Sequence, residues 1–143
     1  MCELKFFFNK NDKKFTTVTT VVDDSKTNYI AHAFVKGPIY DFVSHQQIGY
    51  KVSDDYVQQV SESKYIVRLH NTYLFYDKDG KTTGTISWDY VFENTEPSIY
   101  YPVGIPASST IISATGKYKG KDGVVRLLPK SNGRRNVTIK FSN

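Results

Sequence analysis

The sequence predicts an all-β protein: one antiparallel domain over residues 1–143, with strands that close into a barrel. Three observations carry this expectation. Aromatic residues make up 15% of the chain, including 11 Tyr and 9 Phe. With Val and Thr frequent and Ala scarce, local preferences favour strands over helices. Asp77-Lys78-Asp79-Gly80 sits between two long alternating segments, and Gly80 supplies the positive φ that a hairpin turn often requires. Residues 109–126 place glycines for a tight corner between two β-rich segments. A chain of 143 residues buries roughly two thirds of the surface its unfolded form exposes, so it needs neither disulfide nor metal to hold a core.

The elements follow in order. Residues 4–8 are a short apolar run, and residues 14–22 are rich in Thr and Val; both read as strands. Turn chemistry at residues 23–28 precedes a strand at 29–35, and Gly37-Pro38 is expected to break the run. Residues 39–52 then read as one long strand with a bend or bulge near Gly49, and Asp54-Asp55 as a turn into residues 56–60. Residues 64–76 and 81–92 form the hairpin around Gly80. In its second arm Ile86, Trp88, Tyr90 and Phe92 share one face, opposite Thr85, Ser87, Asp89 and Val91. Residues 94–106 contain Pro97, Pro102 and Pro106 and are expected to form the longest loop, a lid or rim. Strands at 110–114, 123–128 and 136–142 complete about nine, and Val137, Ile139 and Phe141 share a face of the last. Closing this meander would remove its exposed edges.

The formal net charge is +5, unevenly spread. From position 114 onward eight basic residues face a single acid, Asp122, so residues 1–113 are slightly acidic. Such a basic segment suits an acidic partner, including nucleic acid. Lys117, Lys119 and Lys121 alternate around one aromatic, Tyr118, which is poor material for a base-stacking platform, so nucleic acid is disfavoured. The single cysteine, Cys2, cannot form an internal disulfide. No basic segment followed by an apolar core opens the chain, and no apolar run approaches a membrane span. The expected location is intracellular, without membrane association.

Motifs that would announce chemistry are sparse. His32, His45 and His70 lie far apart without accompanying Cys or carboxylate spacing, so no metal site is expected. No nucleophile elbow, Walker loop or dinucleotide fingerprint is present. Asn136-Val137-Thr138 matches a glycosylation sequon inside an expected strand, and Asp23-Asp24 and Asp54-Asp55 read as solvated turns rather than calcium loops. Trp88, Tyr90 and Phe92 could form a ligand-stacking wall, although alternating aromatics in a strand more often pack a core. Tyr100 and Tyr101, beside Pro102, are expected to be partly exposed, as a cavity rim or an interface anchor.

One likeness emerges from the later strands. Thr115, Gly116, Tyr118, Gly120 and Gly123 match a Thr-Gly-x-aromatic-x-Gly-x-x-Gly pattern. They are preceded by Ser44, Gly49 and Tyr50, by Asp79-Gly80 and by Gly84-Thr85-Ile86 in the same order. In this the chain resembles the allene oxide cyclase and dirigent-type barrels from residue 39 onward. The resemblance implies a closed antiparallel eight-stranded barrel, calycin-like, that associates into dimers or trimers. It also implies a lumen able to hold a reactive intermediate while it cyclises or couples, without a cofactor or metal. Restricting conformations in this way can supply up to roughly 7–11 kcal/mol. Polar candidates for stabilising charge are Arg68, His70, Tyr73, Asp89 and Arg126. Strand parity separates them: Arg68 and His70 share a face, Tyr73 takes the other, and Asp89 points outward if the Trp88 face lines the cavity.

Two functions compete. The first choice is a non-enzymatic structural or interaction module, a homo-oligomer or part of a larger assembly. The polarised charge and the lack of an assignable catalytic set favour it. So does a Lys-, Asn-, Tyr- and Ile-rich, Ala-poor composition of the kind AT-rich genomes encode, which would suit a virion component. The alternative is a barrel that binds an apolar or phenolic small molecule and guides its cyclisation or stereoselective coupling.

Overall fold

Ten strand segments make up most of the computed structural model, which describes residues 2–142. They are β1 (Glu3–Asn9), β2 (Thr16–Asp23), β3 (Ile30–Asp41), β4 (Gln47–Ser61) and β5 (Lys64–Tyr76), followed by β6 (Thr82–Asn94), β7 (Ala107–Thr110), β8 (Ser113–Gly116), β9 (Gly123–Pro129) and β10 (Arg134–Phe141). No described residue is helical, and no helix is long and apolar enough to cross a membrane. The strands form one curled antiparallel sheet in the order β7-β9-β10-β1-β3-β4-β5-β6-β8. A two-residue stretch of β1 and a longer run of β2 share one edge of β3: Phe6 and Phe7 pair with Asp41 and Tyr40, and Thr16 pairs with Lys36. At the ends of the order, β7 pairs with β9 and β8 with β6. The two are joined through Ile111, whose N–H donates to Gly123 O, and Ile112, whose N–H donates to Ser87 O.

The β5–β6 hairpin forms as its alternation and Gly80 predict, with Trp88 opposite Asn71 and Gly80 at φ 79°. Residues 95–106 form the expected long connection. Three expectations are corrected. β3 runs through Gly37-Pro38 instead of stopping there. Residues 37–39 lie between the stretches paired with β1 and β2, so they have no partner on that side, and a strand edge tolerates proline in such a gap. The expected strand at 39–52 is divided by a turn at residues 42–46. The Asp41 carboxylate accepts the N–H groups of Val43 (3.1 Å) and Ser44 (2.8 Å), and His45 takes a left-handed φ of 61°. Asp54-Asp55 is not a turn but lies in the middle of β4, which continues to Ser61.

The corner after β8 also differs in kind. Residues 117–120 are turns rather than strand, so Lys117, Lys119 and Lys121 do not share a sheet face, and Tyr118 is buried between them. Gly116, at φ 61°, faces Gly84 across the β6–β8 ladder, and a Cβ on Gly116 would lie 2.2 Å from Thr83 O. Backbones therefore approach where no side chain fits. Gly116→Ala is expected to cost about 2 kcal/mol or more, the left-handed conformation and the clash adding together. Equilibrium urea unfolding measures it; an unchanged midpoint would contradict the geometry.

The core lies on the inner face. Phe6 meets Tyr73 edge-on with centroids 4.8 Å apart, and Trp88 Nε1 donates to the Tyr73 hydroxyl at 3.0 Å. Val125, Leu127, Val137 and Ile139 of β9 and β10 fill the opposite wall, as the parity of the last strand predicts.

Candidate functional site

Apart from Val57, the middle and end of β4 are polar inside, and most of its outward residues are apolar. Its inward positions carry Lys51, Ser53, Asp55 and Gln59, all buried, whereas Tyr50, Val52, Tyr56 and Val60 face outward and are exposed. The sheet ladder places Lys51 beside Gly37 and Tyr73, and Asp55 beside Ala33 and Leu69. From the far wall β10 contributes Arg135, inward because it shares parity with Val137 and Ile139. Arg135 pairs with Phe8 of β1, and the Lys51 ammonium lies 4.6 Å from the Phe8 ring centroid. Phe8, Lys51, Asp55 and Arg135 line a cavity of about 40 Å³ with Phe15, Ile99 and Tyr101, room for roughly three waters. Ala31 and Ala33, with Val57, leave a cleft of about 220 Å³ that shares Thr17, Ile99 and Tyr100 with the first cavity.

The hydrogen bonding is incomplete. Asp55 Oδ2 accepts from Ser53 Oγ at 3.1 Å, Arg135 Nη1 donates to Lys130 O at 3.3 Å, and Asn71 Nδ2 donates to the Tyr101 hydroxyl at 3.2 Å. Asp55 Oδ1, Arg135 Nη2 and Asn71 Oδ1 are buried without a partner. Among the described residues neither Lys51 nor Arg135 is in an ion pair. Burial pushes Lys51 down to about 8, against the pull of Asp55, and pushes Asp55 up to about 6, against the pull of Lys51. Burial also lowers Arg135 and raises Tyr101. Unpartnered buried polar atoms are costly, and two groups titrating on either side of neutrality suit proton exchange with a bound molecule.

The candidates read from the sequence divide between the two faces. Arg68, His70 and Asp89 lie outside, where His70 Nδ1 hydrogen-bonds Asp89. Arg126 is also outside, in a groove with Lys5 and Lys140. Tyr73 is inside, fully buried behind the cavity. Trp88 is fully buried, and Tyr90 and Phe92 back Tyr101, each with its centroid 6.1 Å from that ring. Tyr100 and Tyr101 line the cavity, but they part company: Tyr100 is 51% exposed beneath the Lys10 ammonium, and Tyr101 is 5% exposed rather than part of an open rim. Sequence reasoning missed Lys51, Asp55, Asn71 and Arg135. The signal for Arg135 was present, since it continues the inward alternation of Phe141, Ile139 and Val137.

No family model matches the sequence, and no curated protein matches it significantly. Solved structures do match. Pyocyanin demethylase is similar over 98% of this chain and 99% of its own, with a TM-score of 0.63 and 11% identity. The pterocarpan synthase dirigent protein GePTS1 is similar over 97% of this chain and 84% of its own, with a TM-score of 0.54 and 15% identity. At these identities the likeness is one of fold: the chain has a dirigent-like, barrel-type β architecture.

Proposed function

We propose that this chain is a small-molecule-binding barrel whose ligand is largely apolar and carries an anionic oxygen together with a hydroxyl. The observation that carries this reading is the burial of Lys51, Asp55 and Arg135 in one cavity with hydrogen-bonding atoms unmet. A barrel serving only as a scaffold gains nothing from charges inside it, because hydrophobic residues of similar volume are as stable or more so. We read the sheet as closed: β1 with β2, and β7 with β8, each count as one bent strand, which gives the eight that the family resemblance implies. In this reading Arg135 and Lys51 receive the anionic oxygen, and Asp55 accepts from the hydroxyl. Ile99, Tyr100 and the cleft beyond them receive the apolar body, and Asp55 and Lys51 can move a proton to or from it. The interaction-module alternative draws instead on the outer surface.

Isothermal titration calorimetry with 4-hydroxycinnamate and its methyl ester tests the proposal. The acid is expected to bind saturably and the ester at least about tenfold more weakly, with Arg135→Met bringing the acid down to the ester, in line with about 1.5–3 kcal/mol for a hydrogen bond to a charged group. Equal binding of acid and ester, or none of either, would overturn it.

A further inference from the structure

We propose that the free edge of β2 is where two copies of this chain pair, antiparallel and about a two-fold axis. Among the described residues β2 pairs with β3 alone, and its other edge carries no ladder. Seven of its eight residues are exposed, with Val18 at 58% and Val22 at 69%. Proteins usually guard such an edge with lysine, proline or inward-pointing charge. Residues 16–22, Thr-Thr-Val-Thr-Thr-Val-Val, contain none of these, and the one bulge, between Val21 and Asp23, lies at the end of the strand and leaves Thr16–Val21 regular.

The charges gather at the two ends. Lys13-Lys14 precede the strand and Asp23-Asp24 close it. Parallel pairing of two copies would stack like charges at both ends. Antiparallel pairing sets each Lys-Lys beside the other copy's Asp-Asp, twice by symmetry, so the edge is complementary to itself in one direction only. A two-fold axis normal to the sheet keeps the outer face outward in both copies. A register centred on Thr19 brings Lys14 of each copy near Asp24 of the other, beyond the paired residues. It also joins the outer rows containing Val18 and its exposed neighbour Phe34 into one apolar strip. A second copy fits this edge better than an unrelated strand because both the charge order and the uncharged length come from the same segment. The inference rests on the backbone edge and the charges at its ends, and it is read by assembly rather than by ligand binding, although the inner side chains Thr17 and Thr19 also line the cleft.

Sedimentation velocity over a concentration series from micromolar to submillimolar, with native mass spectrometry, reads the outcome. The protein is expected to be a dimer, and added salt should weaken it. Thr20→Lys, which sets like charges near the axis on an exposed position, is expected to raise the dissociation constant at least about tenfold. Lys14→Glu and Asp24→Lys are each expected to weaken the dimer alone, and mixing the two variants to restore a heterodimer. Circular dichroism confirms that all three remain folded. A monomer throughout the series, a dimer indifferent to Thr20→Lys, or a mixture no tighter than its components would overturn the proposal.

Discussion

Lys51→Met is expected to abolish a rise in stability of about 3 kcal/mol that the native protein gains between pH 8 and 10.5. Burial holds the Lys51 amine at about 8 instead of 10.5, and each tenfold displacement of a protonation equilibrium is worth about 1.4 kcal/mol. Between those values the unfolded chain binds the proton that the folded protein has released, so stability climbs with pH; below pH 8 the burial penalty applies in full. Tyr73 and Tyr101, raised by burial, pull the other way at high pH, but they do so in both proteins and cancel in the difference. Asp55 gives the mirror image. Its carboxyl is held at about 6 against an ordinary 3.8, so the folded state keeps a proton that the unfolded state gives up, and stability falls by about 3 kcal/mol as pH rises through that window. Asp55→Asn should lack this fall. Urea unfolding of the three proteins from pH 4 to 10.5 measures both effects. At pH 7 the Lys51→Met protein should be more stable by about 1–3 kcal/mol, part of the gain being offset because Asp55 loses its counter-charge. Stability would then rise as 4-hydroxycinnamate binding falls, the pattern of a group retained for its chemistry. Parallel pH curves would mean that Lys51 has found compensation in the fold.

Trp88→Ala is expected to destabilise by about 3–5 kcal/mol, the largest loss from any single truncation of the inner face. The indole is fully buried and is the largest such side chain. It supplies the N–H that satisfies the Tyr73 hydroxyl at 3.0 Å, and its ring centroid is 6.1 Å from that of Tyr90. Removing it leaves a void beside Tyr73 and Tyr90 that a sheet wall cannot collapse to fill. It also strands a buried hydroxyl, at about 1–3 kcal/mol. Trp88→Phe keeps most of the volume and should cost mainly the hydrogen bond. Val91→Ala on the outer face, where Val91 is exposed, should stay within about 0.5 kcal/mol. Circular dichroism must report the transition, since Trp88 is the only tryptophan. A loss for Trp88→Ala no greater than that of Val91→Ala would move the indole out of the core.

The contrast between these residues explains what the sequence made legible. β6 follows the usual rule, with its large aromatics inward and Asp89 outward, so its facing could be read from alternation alone. β4 breaks the rule. Tyr50, Val52, Tyr56 and Val60 occupy the solvent side while Lys51 and Asp55 occupy the interior, so the same reasoning made Asp55 part of a solvated turn and passed over Lys51. Pattern reading assumes that charge seeks water, and it fails where a cavity is built to hold charge. The turn at residues 42–46 was hidden for a related reason. It contains neither glycine nor proline and depends on the Asp41 carboxylate reaching the next N–H groups. At Gly37-Pro38 the usual strand breakers were misleading, because the β3 edge has a gap there.

The ladder that joins Glu3 to Lys140 reaches beyond stability into kinetics. β1 sits between β3 and β10, so one flank of the earliest strand is occupied by the latest. Pairings this distant along the chain form slowly, because so much polymer must be gathered before any contact rewards it. On the ribosome the phenylalanines at 6, 7 and 8 leave the exit tunnel long before their β10 neighbours exist, and for that interval they offer an open, sticky margin to whatever else is nascent nearby.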